Sequence, residues 1–292
     1  MDSFTIPVPE AFDFNLCLDF LRRSPKEILH RCSDRGITKL IRLSNEIILF
    51  ELSGRKNLKV DLLNGKLTPE TKSGLKQYIG EWFDITTDLK PFYALAEKDP
   101  LLKKVAKKYF GYRIVGQPDL FESLAWAILG QQINLQFAYT LKQRFVENFG
   151  EKMVFDTDDY YLFPHPEAVA VLRDEHLLPL QFSRQKSKYI ITLAEAFASG
   201  QLSKQKIAGL PFAEAREQLM KIKGIGNWTA NYALMKTFHY GEAFPLEDAG
   251  IHNAIKNLKG MKQKPTLDQV RRIFKKYKGW EAYATLYLWK SL

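Results

Sequence analysis

The stretch Lys221-Ile-Lys-Gly-Ile-Gly-Asn-Trp-Thr-Ala-Asn-Tyr232 decides the fold. Gly224 and Gly226 interrupt one helical pattern, and a second helix is predicted to begin directly after them. Glycine permits a tight turn and lets the backbone approach an external group closely. The first N–H groups of the second helix, at the positive end of its dipole, form a site for a phosphate, and Lys221 and Lys223 add positive charge.

Two aromatic residues and a distant aspartate make this pattern specific. Trp228 and Tyr232 lie one helical turn apart, and Pro245-Leu-Glu-Asp248 places a carboxylate twenty positions after the tryptophan. The combination resembles the helix–hairpin–helix DNA glycosylase superfamily, and within it the 3-methyladenine DNA glycosylase II branch of bacterial alkylation repair. The resemblance covers the chain from about Phe121 to Trp289, with a looser match before it.

Asp248 is the catalytic residue that the resemblance implies. The implied activity is hydrolysis of the N-glycosidic bond of an alkylated purine of the 3-methyladenine type, which is flipped out of the duplex during base excision repair. Loss of the base develops positive charge on the sugar, and a fixed carboxylate stabilises that charge and orients or deprotonates water. Asp248 also precedes a predicted helix, where an N-cap role is the alternative. The neighbouring Glu247 is the rival acid, and we expect it to point elsewhere.

Trp228 decides between hydrolysis and strand cleavage. In bifunctional members of the superfamily a lysine at this position attacks the sugar and forms a Schiff base. Tryptophan cannot do so, and we therefore expect a monofunctional enzyme without AP-lyase activity. The alternative is an amine supplied by Lys221 or Lys223.

The resemblance also implies an aromatic pocket for the extruded base. It assigns this pocket to Trp228, Tyr232, Trp289 and Phe20. An N-alkylated purine is cationic, and electron-rich aromatic faces attract cations by up to about 2 kcal/mol when water is excluded. The spacing of Trp228, Tyr232 and Met235 alone is equally typical of a core-facing helix stripe. For Phe20, too, a place in the core is the alternative.

Two loops are implied to contact DNA. The hairpin residues are Lys223, Gly224, Ile225, Gly226, Asn227 and Thr229, and the loop that fills the gap left by the flipped base contains Gln131, Gln132 and Ile133. Both Gln132 and Ile133 remain candidates for the intercalating residue. The resemblance further implies that the backbone carbonyls of Met220, Ile222 and Ile225 bind a structural Na⁺ or K⁺ ion, and we expect no other cofactor.

The composition agrees with a nucleic-acid partner. The 292 residues carry a net charge of +10, with a pI of ≈ 9.3, which suits a polyanion. We expect a monomer that binds double-stranded DNA containing damaged bases. Cys17 and Cys32 are the only cysteines, too few for the four-thiolate iron–sulfur cluster of some superfamily members and typical of a reducing compartment. We therefore expect a bacterial cytoplasmic protein, associated with the nucleoid through DNA, with no signal peptide and no membrane span.

The hydrophobic patterns predict an α+β fold with two regions. Residues 1–88 predict a small α/β N-terminal domain with an antiparallel sheet, and residues 89–292 predict a mostly α-helical helix–hairpin–helix glycosylase region. Residues 156–166 predict a polar connection bounded by proline. The β-rich runs are 36–43, 46–52 and 57–62, and the predicted helices include 121–129, 135–149 and 228–239.

Two other functions stay open at this point. A non-catalytic helix–hairpin–helix DNA-binding protein would use the same hairpin, but it has no use for Asp248 beside the aromatic residues. A glycosylase for oxidised or deaminated purines would use all of them. Among the bases of alkylation repair, 3-methyladenine, 7-methylguanine and hypoxanthine all remain candidate substrates.

Overall fold

The computed structural model describes residues 2–54 and 56–292, and it confirms the α+β class. A five-stranded antiparallel sheet lies near the N-terminus, and most of the remaining chain is helical. The strands are β1 (Ser3–Pro7), β2 (His30–Cys32), β3 (Gly36–Leu43), β4 (Glu46–Gly54), β5 (Asn57–Leu62), β6 (Lys152–Phe155) and β7 (Asp158–Tyr161). The helices are α1 (Phe14–Leu21), α2 (Pro69–Trp82), α3 (Lys90–Glu97), α4 (Lys103–Lys108), α5 (Leu120–Leu129), α6 (Leu135–Phe149), α7 (Pro166–Ala170), α8 (Asp174–Leu177), α9 (Arg184–Ala198), α10 (Lys204–Ile207), α11 (Phe212–Met220), α12 (Asn227–Phe238), α13 (Ala249–Lys259), α14 (Leu267–Phe274) and α15 (Glu281–Lys290).

The N-terminal sheet has the order β1-β5-β4-β3-β2, with every neighbouring pair antiparallel. The three central strands are those that the sequence predicts, and the outer strands β1 and β2 are additional. Helices α1 and α2 cover one face, where Leu18, Leu75 and Ile79 pack against sheet residues such as Phe50 and Val60. Burial of this face fixes the register, because a slip of one residue would turn the apolar side chains to solvent.

The polar connection predicted over 156–166 contains the strand β7, which the sequence did not predict. Residues 152–161 form the hairpin of β6 and β7, which pairs Met153 with Tyr160. Tyr160 and Leu162 alternate along the chain and pack against Leu40 and Leu49 of the N-terminal sheet. The sequence does not predict β7, because the strand is charged and the residues against which it packs, Leu40 and Leu49, lie more than a hundred positions earlier.

The helical region is built around α5, which is buried along almost its whole length. Helices α9 and α12 pack against it, and α15 closes the same core through Ala284 and Leu288. No helix within residues 2–54 and 56–292 is long and apolar enough to cross a membrane. Helices α5, α6 and α12 agree with their predicted bounds to within one residue at each end.

Two hydrophobic cores meet near the proposed domain boundary at residue 88. One core runs from Phe4 to Phe83 and includes Val115, and the other begins at Leu89. The boundary itself stays a prediction. Between the cores lies Arg113, which is fully buried and donates from Nε to the Ala11 carbonyl at 2.9 Å and from Nη1 to the Thr87 carbonyl at 2.9 Å.

We expect Arg113→Met to destabilise the fold by about 3 kcal/mol, because it leaves buried carbonyls without a charged donor. Denaturant unfolding at equilibrium measures this loss. The exposed Arg271, paired with Asp268 on one face of α14, supplies the matched control. Arg271→Met should change the free energy of unfolding by less than about 0.5 kcal/mol. An equal effect of the two substitutions would contradict a stabilising role for the buried hydrogen bonds of Arg113.

Candidate active site

The hairpin between α11 and α12 uses its two glycines for different purposes. Gly224 has φ +96°, and a Cβ there would lie 2.4 Å from Cγ of Tyr189, so the fold itself demands glycine. Gly226 is the N-cap residue of α12, with φ −89°, and a Cβ there would meet no atom within 4 Å. The backbone at Gly226 is therefore open to the outside, although nothing in the fold excludes a side chain. The unpaired N–H groups of the first turn of α12 face this opening.

Asp248 is the N-cap residue of α13, and its Oδ1 accepts a hydrogen bond from the Ile251 N–H at 3.0 Å. The same carboxylate is held by two indoles. Trp228 of α12 donates from Nε1 to Oδ2 at 3.0 Å, and Trp289 of α15 donates from Nε1 to Oδ1 at 2.8 Å. The N-cap hydrogen bond fixes the position of the carboxylate at the end of α13, and the two indole hydrogen bonds fix the orientation of its plane. Asp248 is half-buried.

Glu247, the rival acid, faces away from this group. Both of its carboxylate oxygens accept hydrogen bonds from Nδ2 of Asn227 at 3.1 Å, on the exposed side of the hairpin. Asp248 is therefore the carboxylate to which the two indoles donate. Asn227, predicted to contact DNA, is half-buried at the start of α12.

The aromatic residues form a continuous wall next to Asp248. The rings of Trp228 and Tyr232 stack with centroids 5.2 Å apart and an interplanar angle of 16°. The Tyr232 hydroxyl accepts a hydrogen bond from Nε1 of Trp126 at 3.1 Å, and Trp126 in turn packs against Tyr139, with centroids 4.8 Å apart. Trp126 and Tyr139 were not predicted as site residues, because both lie on helices whose hydrophobic pattern is typical of the protein core.

Phe20 lies at the far end of this wall, in a small cavity that it shares with Tyr232. Its ring lies beside two basic side chains that the sequence did not predict as site residues. The guanidinium carbon of Arg23 is 3.9 Å from the ring centroid, and the Lys236 ammonium nitrogen is 4.6 Å from it. Met235, which the helix spacing offered as the third residue of the stripe, is fully buried in the core. The stripe instead continues from Tyr232 to Lys236, one turn further along α12.

Burial and, as the second cause, the nearby charge of Arg23 lower the pKa of Lys236 to about 7. Lys236 is 2 % exposed and donates to the Val115 carbonyl at 2.7 Å. The deep end of the aromatic wall therefore carries the N–H donors of Arg23 and Lys236, whereas its outer end carries the Asp248 carboxylate.

The loop between α5 and α6 is tied to the hairpin. Gln131 donates from Nε2 to the Gly224 carbonyl at 3.0 Å and to the Thr229 hydroxyl at 3.1 Å. Lys186 of α9 donates to the carbonyls of Ile128 and Gln131, which holds the loop from its other side. The DNA contacts expected of Gln131 and Thr229 stay predictions. The Gln131 amide is used within the protein, and the Thr229 side chain is buried, which leaves its backbone N–H for an external group.

The two candidates for the intercalating residue differ in their surroundings. Ile133 is half-buried and packs onto the cluster of Trp126, Tyr139 and Tyr232. Gln132 is exposed, with φ +59° in the left-handed region. Such a conformation is uncommon for a residue other than glycine and concentrates at functional sites. Of the two, Gln132 is the residue that projects from the protein surface.

The carbonyls named for a monovalent cation lie around the hairpin turn. Ile222 accepts a hydrogen bond from the Ile225 N–H at 3.1 Å, while Met220 ends α11 and Ile225 precedes the N-cap residue of α12. Within residues 2–54 and 56–292, no group of three or more His, Cys, Asp or Glu side chains is placed to hold a metal. A cation at this turn would therefore rely on neutral backbone oxygens, which is the ligand type that Na⁺ and K⁺ accept.

Comparison with known families agrees with this geometry. The family model described as HhH-GPD superfamily base excision DNA repair protein matches residues 125–279, more than half of the chain. The chain belongs to this superfamily. It is thus a DNA glycosylase of base excision repair that binds DNA, and the resemblance inferred from the hairpin and Asp248 is confirmed. A second model, the 8-oxoguanine DNA glycosylase N-terminal domain, matches residues 18–124.

Individual relatives cover the whole chain. A DNA-3-methyladenine glycosylase of Bacillus subtilis is 42% identical over 100% of this chain and 97% of its own length. The structure of a 3-methyladenine DNA-glycosylase from Archaeoglobus fulgidus superposes with a TM-score of 0.85 at 21% identity, covering 98% of this chain and 97% of that one. An 8-oxoguanine glycosylase/lyase from Clostridium acetobutylicum superposes with a TM-score of 0.79 at 20% identity, covering 100% and 97%. At such identities the two structures show a shared fold.

The two hairpin glycines give a matched test. Gly224→Ala should destabilise the fold by about 2–4 kcal/mol, because of its left-handed φ and the contact with Tyr189. Gly226→Ala should cost no more than about 1 kcal/mol, the difference between these residues at an N-cap, and should weaken DNA binding by blocking close approach of a phosphate. Unfolding and fluorescence-anisotropy titrations measure the two effects. Unchanged DNA affinity in Gly226→Ala would show that nothing approaches α12 at this point.

Gly250, on the first turn of α13, tests the orientation of Asp248 without removing any functional group. A Cβ there would lie 2.9 Å from Oδ1 of Asp248 and 2.9 Å from Cδ1 of Trp289, so the carboxylate or the indole must shift. We expect Gly250→Ala to lower the rate of base release by about 10- to 100-fold, the usual penalty for a displaced catalytic group. Single-turnover kinetics measure this rate. The control is Gly80→Ala in α2, where the added Cβ meets nothing within 4 Å, and equal rates in the two variants would contradict the orientation argument.

Proposed function

We propose that this protein is a monofunctional glycosylase that releases alkylated purines, 3-methyladenine among them, from damaged double-stranded DNA and does so as a monomer. The observation that carries the proposal is the Asp248 carboxylate, held by the indoles of Trp228 and Trp289 beside the open N-terminus of α12. A hairpin that only bound DNA would have no use for a carboxylate oriented by two tryptophans.

Asp248 acts on the sugar. When the N-glycosidic bond breaks, its electron pair leaves with the base, and positive charge develops on the deoxyribose ring. The fixed carboxylate stabilises this charge, and water then forms the new bond to C1′ and gives up one proton to the Asp248 carboxylate. An N-alkylated purine is already cationic, so the departing electron pair neutralises it and no acid is required to protonate it.

Trp228 supports hydrolysis rather than strand cleavage. The position that follows the glycine turn holds an indole, which donates its N–H to Asp248 and cannot form a Schiff base. Lys223, the lysine nearest in the turn, is exposed and makes no hydrogen bond to Asp248. Water is therefore the nucleophile in our proposal.

The stacked pair of Trp228 and Tyr232 supports a cationic substrate. Aromatic faces attract a desolvated cation by up to about 2 kcal/mol, and the outer end of the wall also carries the negative charge of Asp248. The name of the Bacillus subtilis relative, DNA-3-methyladenine glycosylase, agrees with this substrate class. Trp289 completes the outer end, and Phe20 belongs to the deep end of the same pocket.

Three further groups bind the DNA in this proposal. Lys223, the hairpin backbone from Gly224 to Gly226 and the first turn of α12 receive a phosphate. Gln132 enters the gap that the flipped nucleotide leaves in the duplex. The carbonyls of Met220, Ile222 and Ile225 would hold a monovalent cation, which would add positive charge next to that phosphate.

A second candidate is a glycosylase for oxidised guanine. It is favoured by the match of residues 18–124 to the 8-oxoguanine DNA glycosylase N-terminal domain. The two candidates differ in the base released and in the chemistry at Trp228. A lyase forms a covalent imine with DNA, which borohydride reduces to a stable adduct, whereas a monofunctional hydrolase does not.

Asp248→Asn tests the catalytic role directly. We expect base release to fall by at least about 100-fold, as on removal of other preorganised charge-stabilising groups, while binding to methylated DNA is retained. The measurement is chromatography of free 3-methyladenine and 7-methylguanine released from methylated DNA. Near-normal release by the variant would rule out Asp248 as the catalyst, and a borohydride-trapped adduct with the wild type would rule out the monofunctional assignment.

A further inference from the structure

The deep end of the aromatic wall opens into a cavity that the chemistry at Asp248 does not use. Its volume is about 50 Å³, and Tyr232, Trp126, Tyr139, Phe20, Arg23 and Lys236 contribute to its lining. Because Tyr232 also stacks on Trp228, the cavity continues the proposed base pocket away from the sugar. A group in this cavity would meet the far edge of an extruded base.

Arg23 is held in this cavity as a planar donor. Its guanidinium stacks on the Phe20 ring, 3.9 Å from the centroid, and its Nε donates to the Tyr139 hydroxyl. Those two contacts fix the plane of the group and leave the two terminal nitrogens. Within residues 2–54 and 56–292, neither terminal nitrogen has a hydrogen bond or ion pair. The side chain is also exposed, so these donors are available to a ligand.

Lys236 adds a second hydrogen-bond donor near Arg23. It lies one helical turn beyond Tyr232, with its nitrogen 4.6 Å from the centroid of the Phe20 ring. Its hydrogen bond to the Val115 carbonyl keeps it in place. Both polar groups next to Phe20 are hydrogen-bond donors, so a base edge that carries acceptors suits this end of the pocket.

Purines differ at this edge. Guanine and hypoxanthine derivatives carry a carbonyl oxygen at C6, whereas adenine derivatives carry an amino group there. A guanidinium N–H donates to such a carbonyl oxygen in a charge-assisted hydrogen bond, which is stronger than a neutral one. In 7-methylguanine N7 carries the methyl group, so O6 is the acceptor that Arg23 meets at this edge. An amino group facing Arg23 would instead leave donors opposite donors, which costs binding energy when water is excluded.

We propose that Arg23, stacked on Phe20 and aligned by Tyr139, is a specificity-determining residue that recognises the carbonyl edge of extruded 6-oxo purines. This inference rests on the proposed glycosylase function and narrows its substrate class. Under this inference, extruded 7-alkylguanine and hypoxanthine make a direct contact with Arg23. Release of 3-methyladenine depends on the outer aromatic pair and Asp248 alone.

The test compares two bases released from the same DNA. DNA treated with dimethyl sulfate contains both 7-methylguanine and 3-methyladenine, so the ratio of the two initial release rates does not depend on the amount of active enzyme. We expect Arg23→Gln to lower the rate ratio of 7-methylguanine to 3-methyladenine on the order of 10-fold, the effect expected when one hydrogen bond to a charged group is lost. Release of hypoxanthine from a synthetic duplex should fall by a similar factor.

Two further variants make the result specific. Arg22→Gln is the matched control, because Arg22 is the adjacent arginine and donates to the Ser33 carbonyl outside the cavity. It should leave the ratio unchanged. Tyr139→Phe keeps the ring and removes the hydroxyl that aligns Arg23, and it should shift the ratio in the same direction by a smaller factor. This variant also serves as the test if Arg23→Gln does not fold.

Each outcome separates this inference from the proposed function. If Arg23→Gln slows release of both bases equally, the ratio is unchanged, Arg23 contacts the DNA backbone and the inference is overturned. If the variant changes neither rate, the inference is likewise overturned, although the proposed function stands. If the wild type releases neither methylated base, it is the proposed function that fails.

Discussion

The hydrogen bonds from Trp228 and Trp289 to Asp248 are the contacts on which the rest of the site depends. They join the hairpin helix α12, the helix start of α13 and the last helix α15 at one carboxylate. N-capping and catalysis are therefore not competing roles for Asp248. The cap and the Trp289 bond use Oδ1, the Trp228 bond uses Oδ2, and together they fix the carboxylate in the orientation that the proposed stabilisation of a charged sugar requires.

This arrangement also explains why the glycine turn is hydrogen-bonded to the loop between α5 and α6. Gln131 bonds to the hairpin, and Lys186 bonds to the loop that contains Gln131, so Gln132 and the start of α12 keep a fixed separation. A phosphate bound at the hairpin would therefore set the position of Gln132 in the duplex. In the proposed mechanism this fixed separation is required, because extrusion of a base has to bring its sugar to the Asp248 carboxylate.

Much of the fold and of the outer site could be predicted from the sequence. The glycine turn, the helix after it and the assembly of Trp228, Tyr232, Trp289 and Asp248 all follow from local spacing and a family resemblance. The strands β1, β2, β6 and β7 could not, since β1 pairs with the distant β5, and β2, β6 and β7 are only three or four residues long. Lys236 was missed for a similar reason. A lysine on a helix is normally exposed, and its burial here is imposed by Phe20 and Val115, which lie far away in the sequence.

The most direct measurement of the central claim compares the affinity of the protein for two abasic-site analogues in otherwise identical duplexes. One contains a cationic pyrrolidine ring, which imitates the charged sugar of the transition state, and the other contains a neutral tetrahydrofuran ring. If Asp248 stabilises that charge, the wild type binds the cationic analogue at least about ten-fold more tightly, and Asp248→Asn loses this preference while its affinity for the neutral analogue is unchanged. Equal affinity of the wild type for both analogues, or a preference that survives in Asp248→Asn, would contradict the account.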